Sequence, residues 1–228
     1  MDDLRTADVG DVRLAYRVGG EAAAPPVVLL HALGEGGRTW QETGAALAAS
    51  HRVYAVDLRG HGASDRAAAY SFELMRDDVV AFLDVLGLDR VGLVGHSMGA
   101  TVAYLLAGSH PERVDRLVLE EPPPPVPADP PRRLPANPEE TEAFDWAAVD
   151  AIYRQRNDPD PAYWDVPAAI TAPTLVVAGG PGSPLPQDQL TRFAQAIPDH
   201  RLVTIDAGHL VHEERPGEFA AALTAFLA

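Results

Sequence analysis

The chain has no cysteine and no lysine among its 228 residues. Without cysteine it has neither a disulfide framework nor a thiolate metal site. All 18 basic residues are arginine, against 33 acidic residues, so the formal net charge is −15. Nucleic acids and anionic membrane surfaces bind proteins through basic patches. This charge balance therefore argues against both kinds of partner.

Long apolar runs are also missing. No run approaches the length of about 20 residues that a membrane-spanning helix needs. The first residues, Met1 to Arg5, lack the basic and then apolar order of a secretory signal. We therefore expect a cytoplasmic protein. Hydrophobic residues make up 46% of the chain and charged residues 22%, which is typical of a globular protein with one sizeable core.

One short stretch combines a buried strand, a tight turn and a helix. Val91–Val94 is a continuous apolar run that predicts a strand, and a helical pattern begins at Ala100. Between them lies Gly95-His-Ser97-Met-Gly99, the Gly-x-Ser-x-Gly pattern of a nucleophile elbow in the context that this motif requires. Such a turn exposes the Ser97 hydroxyl at a helix N-terminus, where negative charge is favoured. The alternative is a glycine-rich turn in which Ser97 only caps the helix.

Strands and helices alternate along most of the chain. Apolar runs predict strands over residues 12–18, 27–30, 53–56, 91–94, 117–119, 174–178 and 202–205. Helical patterns cover residues 39–49, 74–86, 100–108, 187–197 and 216–227. This alternation predicts an α/β fold with a mostly parallel twisted sheet and helices on both faces. The first strand alternates apolar and polar residues, which favours the edge of the sheet.

Residues 122–170 interrupt this alternation. The stretch Pro122–Pro138 is too rich in proline to form a helix or a central strand. Residues 145–156 have the pattern of a short amphipathic helix. We therefore expect a core domain made of residues 1–121 and 171–228, and a small proline-rich cap or lid insertion made of residues 122–170.

Four segments, in this order along the chain, resemble those of the α/β-hydrolase fold family: Leu29-Leu-His-Ala-Leu-Gly34, Asp57-Leu-Arg-Gly-His-Gly-Ala-Ser64, Gly95-His-Ser-Met-Gly99 and Asp206-Ala-Gly-His209. The resemblance implies the α/β-hydrolase fold and a serine hydrolase in which a late histidine activates Ser97. His209 matches that histidine. His212 is the nearest competitor, but its charged neighbours suggest the solvated start of a helix.

No motif in the sequence directly identifies the acid, which is the third member of such a triad. The position that carries it in most of the family falls here on Gly182. Some members place the acid at the end of the previous strand, where this chain has Glu120 and Glu121. Successive side chains of a strand point to opposite faces, so only one of the two can approach His209. The resemblance places the acid at Glu121, with Glu120 as the alternate, and a chain without a triad acid is the third alternative.

The resemblance also implies an oxyanion hole made by the backbone amides of Met98 and Leu33, although Ala32 stands where the family has glycine. His31 opens the same loop, and its counterpart in the family bonds to the backbone. We expect a substrate pocket roofed by the insertion and lined by His31, Trp146, Tyr153 and Trp164. The alternative is that the aromatic residues of the insertion only pack it onto the core.

The sequence shows neither a metal-ligand spacing nor a dinucleotide fingerprint, so we expect no cofactor and no metal. The favoured interpretation is a serine hydrolase that cleaves an ester-like bond of a small molecule through an acyl-enzyme. The bond is a carboxylester, a thioester or a lactone. One alternative is a non-hydrolytic binding protein for a small ligand, which the missing acid at Gly182 favours. Another is a cofactor-free lyase or cyclase on the same fold. The oligomeric state is left open.

Overall fold

A computed structural model describes residues 1, 3–137 and 143–228 of the chain. It contains one sheet of eight strands: β1 (Leu4–Asp8), β2 (Arg13–Gly19), β3 (Pro26–Leu30), β4 (Arg52–Val56), β5 (Val91–His96), β6 (Val114–Glu120), β7 (Thr174–Ala178) and β8 (His200–Thr204). Their order in the sheet is β1-β2-β4-β3-β5-β6-β7-β8. The pairings of β2 with β1 and with β4 are antiparallel, and all others are parallel. The predicted α/β fold with a mostly parallel sheet is therefore confirmed.

Eight α-helices flank or follow the strands: α1 (Gln41–Leu47), α2 (Phe72–Val85), α3 (Met98–Ser109), α4 (Trp146–Asn157), α5 (Val166–Ala169), α6 (Gln187–Gln195), α7 (Val211–Glu214) and α8 (Pro216–Leu227). Buried residues of α1 and α8 form the core on one face of the sheet. Those of α2, α3 and α6 form the core on the other face. No helix in the described part of the chain is both long and apolar enough to cross a membrane.

The edge of the sheet is formed by β1 and not by the predicted strand over residues 12–18. The alternating pattern of residues 12–18 predicts an edge strand, but β2 lies between β1 and β4. Four of the five residues of β1 are exposed, so it carries no apolar pattern that periodicity could detect. It is held by backbone pairing with β2 rather than by burial of its side chains.

The strand order places several loops at one edge of the sheet. From β3 the parallel strands run outward in both directions, to β4 on one side and to β5, β6, β7 and β8 on the other. Ligands of open α/β sheets bind where the strand order reverses in this way, outside the carboxyl ends of the strands. The loops after β3, β5, β6, β7 and β8 all emerge at this edge, and they carry the residues described below.

Residues 122–170 lie between β6 and β7 along the chain. Their described part contains α4, a 3-10 turn over Pro161–Trp164 and α5, and no helix or strand over residues 122–137. Pro138, the end of the expected proline-rich stretch, lies outside the described residues. Two hydrogen bonds connect α4 and its N-cap to the start of α2: Tyr70 Oη donates to Asp145 Oδ2 at 2.7 Å, and the Phe72 amide donates to Gln155 Oε1 at 2.9 Å.

Candidate active site

Ser97 occupies a strained turn between β5 and α3. Its φ is 50°, in the left-handed region that residues with a side chain rarely adopt. The neighbouring chain segments approach too closely for any residue larger than glycine. A Cβ on Gly95 would lie 2.3 Å from the carbonyl oxygen of Gly99, and one on Gly99 would lie 2.3 Å from that of Leu30. The two motif glycines therefore make the turn sterically possible, as the sequence pattern predicts.

His209 reaches Ser97 from the loop that follows β8. Its Nε2 lies 3.0 Å from Ser97 Oγ. Gly208 has a φ of 76°, and the amides of Ala207 and Gly208 both donate to the carbonyl oxygen of Gly179, at 3.1 and 2.9 Å. The loops after β7 and β8 are thus joined through their backbones. This contact fixes the histidine loop relative to the sheet.

Glu121 lies on the other side of the His209 ring, directly after the end of β6. Its Oε2 is 3.1 Å from His209 Nδ1, and its side chain is fully buried. The same carboxylate accepts hydrogen bonds from the Gly179 amide at 2.6 Å, from Gln187 Nε2 at 3.2 Å and from the Ser183 hydroxyl. Burial alone would raise the pKa of Glu121, but the hydrogen bonds from His209, Ser183, Gly179 and Gln187 hold it below its usual value.

This arrangement selects one tautomer of His209. A carboxylate accepts hydrogen bonds but does not donate them, so the ring proton belongs on Nδ1, facing Glu121. The Nε2 lone pair then faces the Ser97 hydroxyl and is able to accept its proton. The three side chains therefore form a continuous chain of hydrogen bonds from carboxylate to hydroxyl.

Gly182 stands in the turn after β7, close to the histidine loop. A Cβ on Gly182 would lie 3.6 Å from the Cα of Gly208, an ordinary van der Waals contact. The position that carries the acid in most of the resembled family thus faces the same loop as Glu121 does. In this chain Glu121 fills the place beside His209 from the neighbouring strand.

Glu120, the alternate acid, points to the opposite side and pairs with His212. Its Oε1 accepts from the His212 amide at 2.9 Å, and its Oε2 lies 2.8 Å from His212 Nδ1. Both side chains are buried, and the His212 ring stacks on Trp40 at a centroid distance of 4.2 Å. The expectation that His212 sits at a solvated helix start is wrong, because Trp40 and Phe219 cover it.

A further pair, the buried His96 and the partly exposed Glu35, supports the same loops and was not identified from the sequence. His96 Nε2 donates to the carbonyl oxygen of His209 at 2.9 Å, and its Nδ1 lies 3.9 Å from Glu35 Oε2. Burial would lower the pKa of His96, but the nearby Glu120 and Glu35 carboxylates raise it to about 9. Burial would raise the pKa of Glu35, but the attraction of His96 lowers it to about 2. The one sequence signal for Glu35 is its place among glycines directly after β3.

Three of these buried groups offer potential metal-ligand atoms. The nearest such atoms of His96, Glu120 and His212 lie within 4.8 Å of one another. The Glu120 carboxylate is already used by the amide and the ring Nδ1 of His212. Glu120 and His212 are thus a hydrogen-bonded pair beside His96, and we assign no metal to this group.

A cavity of about 240 Å³ opens beside Ser97 and His209. Trp146 and Tyr153, two of the four expected pocket residues, line it, as do Leu33 of the expected oxyanion hole and Arg156, which the sequence pattern does not single out. Charged residues on amphipathic helices are mostly exposed, so the sequence alone gives no reason to place Arg156 in a cavity.

Met98 follows Ser97 as the first residue of α3, so its amide belongs to the N-terminus of that helix.

Two expected pocket residues, His31 and Trp164, do not line this cavity. His31 is fully buried below it: its Nδ1 donates to the Ala32 carbonyl at 2.7 Å, and its Nε2 accepts from the Leu58 amide at 2.9 Å. It thus joins the loops after β3 and β4 through the backbone, which is the other role expected for it. Trp164 packs near the rings and guanidinium of α6, with Phe193 at 6.3 Å and Arg192 at 5.9 Å.

Comparison with known proteins supplies the family context. The sequence profile of the family described as alpha/beta hydrolase fold matches residues 25–145. The chain is 28% identical to the mouse sn-1-specific diacylglycerol lipase ABHD11, over 97% of this chain and 87% of that protein. Uncharacterized proteins of Mycobacterium are 39% identical, but the matched region covers 51% of this chain and only about a third (34%) of their length.

Solved structures match over nearly the whole chain. A hydrolase from Pseudomonas aeruginosa superposes with a TM-score of 0.88 and 27% identity, covering 100% of this chain and 99% of that one. Est816, described as an N-acyl homoserine lactone degrading enzyme, superposes with a TM-score of 0.80 and 30% identity, covering 97% of this chain and 100% of that one.

Proposed function

Because the chain belongs to the α/β hydrolase fold family, we propose that it is a serine hydrolase that cleaves an ester-like bond through an acyl-enzyme. One observation carries the proposal: the continuous hydrogen bonding from Glu121 through His209 to Ser97, at 3.1 and 3.0 Å. A hydroxyl is a weak nucleophile at neutral pH, and an adjacent, oriented base is what activates it.

In the proposed reaction, Ser97 Oγ attacks the substrate carbonyl while His209 Nε2 takes the hydroxyl proton. Glu121 stabilises the imidazolium that forms. The amides of Met98 and Leu33 stabilise the oxyanion, and such donors are each worth about 3–4 kcal/mol of barrier. His209 then protonates the leaving group, which departs and leaves an acyl-enzyme. Water, activated by the same histidine, cleaves the acyl-enzyme and restores Ser97.

Carboxylesters, thioesters and lactones are all substrates that this chemistry suits. Two of the similar proteins are named as a diacylglycerol lipase and as an N-acyl homoserine lactone degrading enzyme, and these names point to substrates with ester-like bonds. We propose further that residues 122–170 form a cap over the core of residues 1–121 and 171–228. Trp146 and Tyr153 of α4 support this role because they line the cavity beside Ser97.

The alternative of a non-hydrolytic binding protein rested on the missing carboxylate at Gly182. Glu121 removes that reason, because it contacts the ring nitrogen that a carboxylate at the usual position would serve. No contact among the described residues favours a lyase or cyclase over a hydrolase. A small-molecule substrate, a cytoplasmic location and the absence of a nucleic-acid or membrane partner stay predictions.

Hydrolysis of short and medium 4-nitrophenyl esters by the wild type and by Ser97→Ala tests the proposal. We expect turnover by the wild type, loss of turnover in Ser97→Ala, and covalent labelling of Ser97 by a fluorophosphonate. Ser109→Ala is the matched control, because Ser109 lies at the far end of the same helix and bonds only to the helix backbone and to His110. A wild type that neither turns over any ester nor takes up the label would overturn the proposal.

A further inference from the structure

Arg156 is a cation that lies beside the proposed catalytic residues and has no acidic partner among the described residues. It lies in the last turn of α4, three residues after Tyr153 and seven after Val149, so these three share one face of the helix. That face lines the cavity that contains Ser97 and His209. Arg156 is therefore a cationic side chain on the face of α4 that lines the cavity.

The guanidinium of Arg156 has no acidic partner in the part of the chain that the structure describes. Its Nε is buried and has no hydrogen-bond partner. No carboxylate among residues 1, 3–137 and 143–228 forms an ion pair with it. Glu35, the acidic residue that lines the same cavity, is instead engaged by the Ala32 amide at 3.3 Å and by His96 at 3.9 Å. The side chain as a whole is partly exposed, but a buried donor without a partner is costly, and a ligand in the cavity would supply that partner.

A second arginine lies beside Arg156. Arg132 donates from Nη1 to the Arg156 carbonyl at 2.8 Å, and both arginines line a second, adjacent cavity. Burial lowers the pKa of Arg156, and the nearby Arg132 charge lowers it further. In a chain with a net charge of −15, these two adjacent arginines have no acidic partner among the described residues, which marks a local excess of positive charge.

The other arginine in this turn shows the ordinary arrangement. Arg154 points away from the cavity, is 78% exposed, and pairs with Asp150 one turn earlier at 2.8 Å. The helix C-terminus favours positive charge at both positions. It does not explain why Arg156 is turned inward with an unpaired Nε.

We propose that the substrate carries a carboxylate and that Arg156 binds it while Ser97 attacks the ester-like bond elsewhere in the same molecule. The planar guanidinium matches a carboxylate with two parallel hydrogen bonds, which gives orientation as well as attraction. This inference rests on the proposed serine hydrolase activity. It narrows the substrate to esters, thioesters or lactones of acids that keep a second, ionised carboxyl group, or to esters whose alcohol part carries one.

Two matched substrate pairs test the proposal. In the first, the charge is in the acyl part: 4-nitrophenyl hydrogen adipate against methyl 4-nitrophenyl adipate. In the second, it is in the leaving group: 4-acetoxybenzoate against its methyl ester. We expect the wild type to favour the anionic member of at least one pair about tenfold or more in kcat/KM, because hydrogen bonds to charged groups are worth about that much. The pair that shows the preference identifies which side of the bond Arg156 contacts.

The Arg156→Gln variant should lower that anionic-to-neutral ratio by about tenfold or more, and Arg156→Lys should retain part of it because the charge remains. Arg154→Gln is the matched control and should keep the wild-type ratio. Equal ratios in the wild type and Arg156→Gln for both pairs would overturn the proposal. If Arg156→Gln fails to fold, competitive inhibition of the wild type tests the proposal instead. The inhibition constant of adipate should be at least about tenfold lower than that of adipamide. Equal inhibition constants would overturn the proposal.

Failure of the proposed hydrolase activity gives a different result. In that case neither member of either pair is cleaved and Ser97 takes up no fluorophosphonate. Binding of monomethyl adipate to Ser97→Ala, measured by calorimetry with and without the Arg156→Gln change, then tests the carboxylate site on its own. Binding that does not depend on Arg156 would overturn it.

Discussion

The position of Glu121 depends on the backbone conformation of one residue. The strand β6 ends at Glu120, and Glu121 adopts a φ of 48° while its amide still donates to the Val177 carbonyl at 2.8 Å. This turn directs the Glu121 carboxylate to His209 and leaves Glu120 facing His212. The sequence predicts that the two glutamates point to opposite sides. A left-handed residue other than glycine leaves no mark in the sequence, so the choice between them needed the family resemblance.

Replacement of Glu121 tests its proposed role. Glu121→Gln should lower kcat by about 10⁴-fold, because an amide at this position favours the wrong tautomer of His209. Asp188→Asn is the control: Asp188 is an exposed carboxylate in the first turn of α6 and should be replaceable without loss. Steady-state hydrolysis of a 4-nitrophenyl ester measures both. A Glu121→Gln enzyme with nearly the wild-type rate would contradict the assignment of this acid.

Gly182 offers a second test of the same geometry. A Cβ at Gly182 meets only ordinary contacts, and the position faces the loop of His209. We expect the double variant Glu121→Gln, Gly182→Asp to recover at least about tenfold of the rate lost in Glu121→Gln, because a carboxylate again faces the histidine. The double variant Glu121→Gln, Gly182→Asn is the control, because asparagine has the size of aspartate without its charge. A higher rate with aspartate than with asparagine at position 182 would show that the charge, and not packing, restores activity. Equal rates in the two double variants would show that position 182 does not reach His209.

Helix α4 depends on the start of α2 for its position. Glu73, in the first turn of α2, accepts hydrogen bonds from Gln155 Nε2 at 3.0 Å and from the Tyr163 hydroxyl. One carboxylate thus holds both α4 and the 3-10 turn that follows it. The amphipathic pattern predicted α4 within one residue at each end. Its partner on α2 lies 82 residues earlier, and no local pattern predicts a contact over that separation.

Glu73→Ala should therefore loosen the insertion. Loss of the two hydrogen bonds should cost about 1–2 kcal/mol after allowance for the partial exposure of Glu73, or about 2–8 °C in Tm. Amides of residues 146–157 should also exchange hydrogen faster, because the helix loses its anchor. Asp77→Ala on the same helix is the control, since Asp77 is mostly exposed and pairs only with the adjacent Arg76. Unchanged exchange in α4 would contradict the anchoring role.

For the molecule as a whole, the sequence was informative where a pattern is local. Periodicity gave seven of the eight strands and the five longest core helices, and the motif segments gave the loops that carry Ser97 and His209. The contacts that complete the site are long-range. Glu35 comes from the loop after β3, His96 from the end of β5, and Arg156 from the insertion. Their positions depend on how these segments meet at the sheet edge, which no short window of sequence contains.

The buried charges around His96 predict how stability depends on pH. In the fold the pKa of His96 is raised to about 9, so its protonated form stabilises the protein fully below its unfolded pKa of 6.5, and this contribution is lost as the pH rises through 9. Glu35, with its pKa lowered to about 2, and Glu121, with a lowered pKa, contribute above their unfolded pKa of 4.5 and lose that contribution as the pH falls. Burial also lowers the pKa of His31, and that of His61 to about 3, so their contributions are lost as the pH falls below 6.5, and we expect Tm to be highest near pH 6.5.

The alkaline side of this profile isolates His96. Its shift corresponds to at most about 3 kcal/mol, or about 6–12 °C in Tm, lost between about pH 6.5 and 9. His96→Gln should start from a lower Tm at pH 6 and decline less over this range, because glutamine carries no proton to lose but still donates to the His209 carbonyl. His110→Gln, at the end of α3, should follow the wild-type curve. Calorimetric Tm values from pH 5 to 10 measure the effect, and parallel curves for wild type and His96→Gln would show that His96 is uncharged in the folded protein.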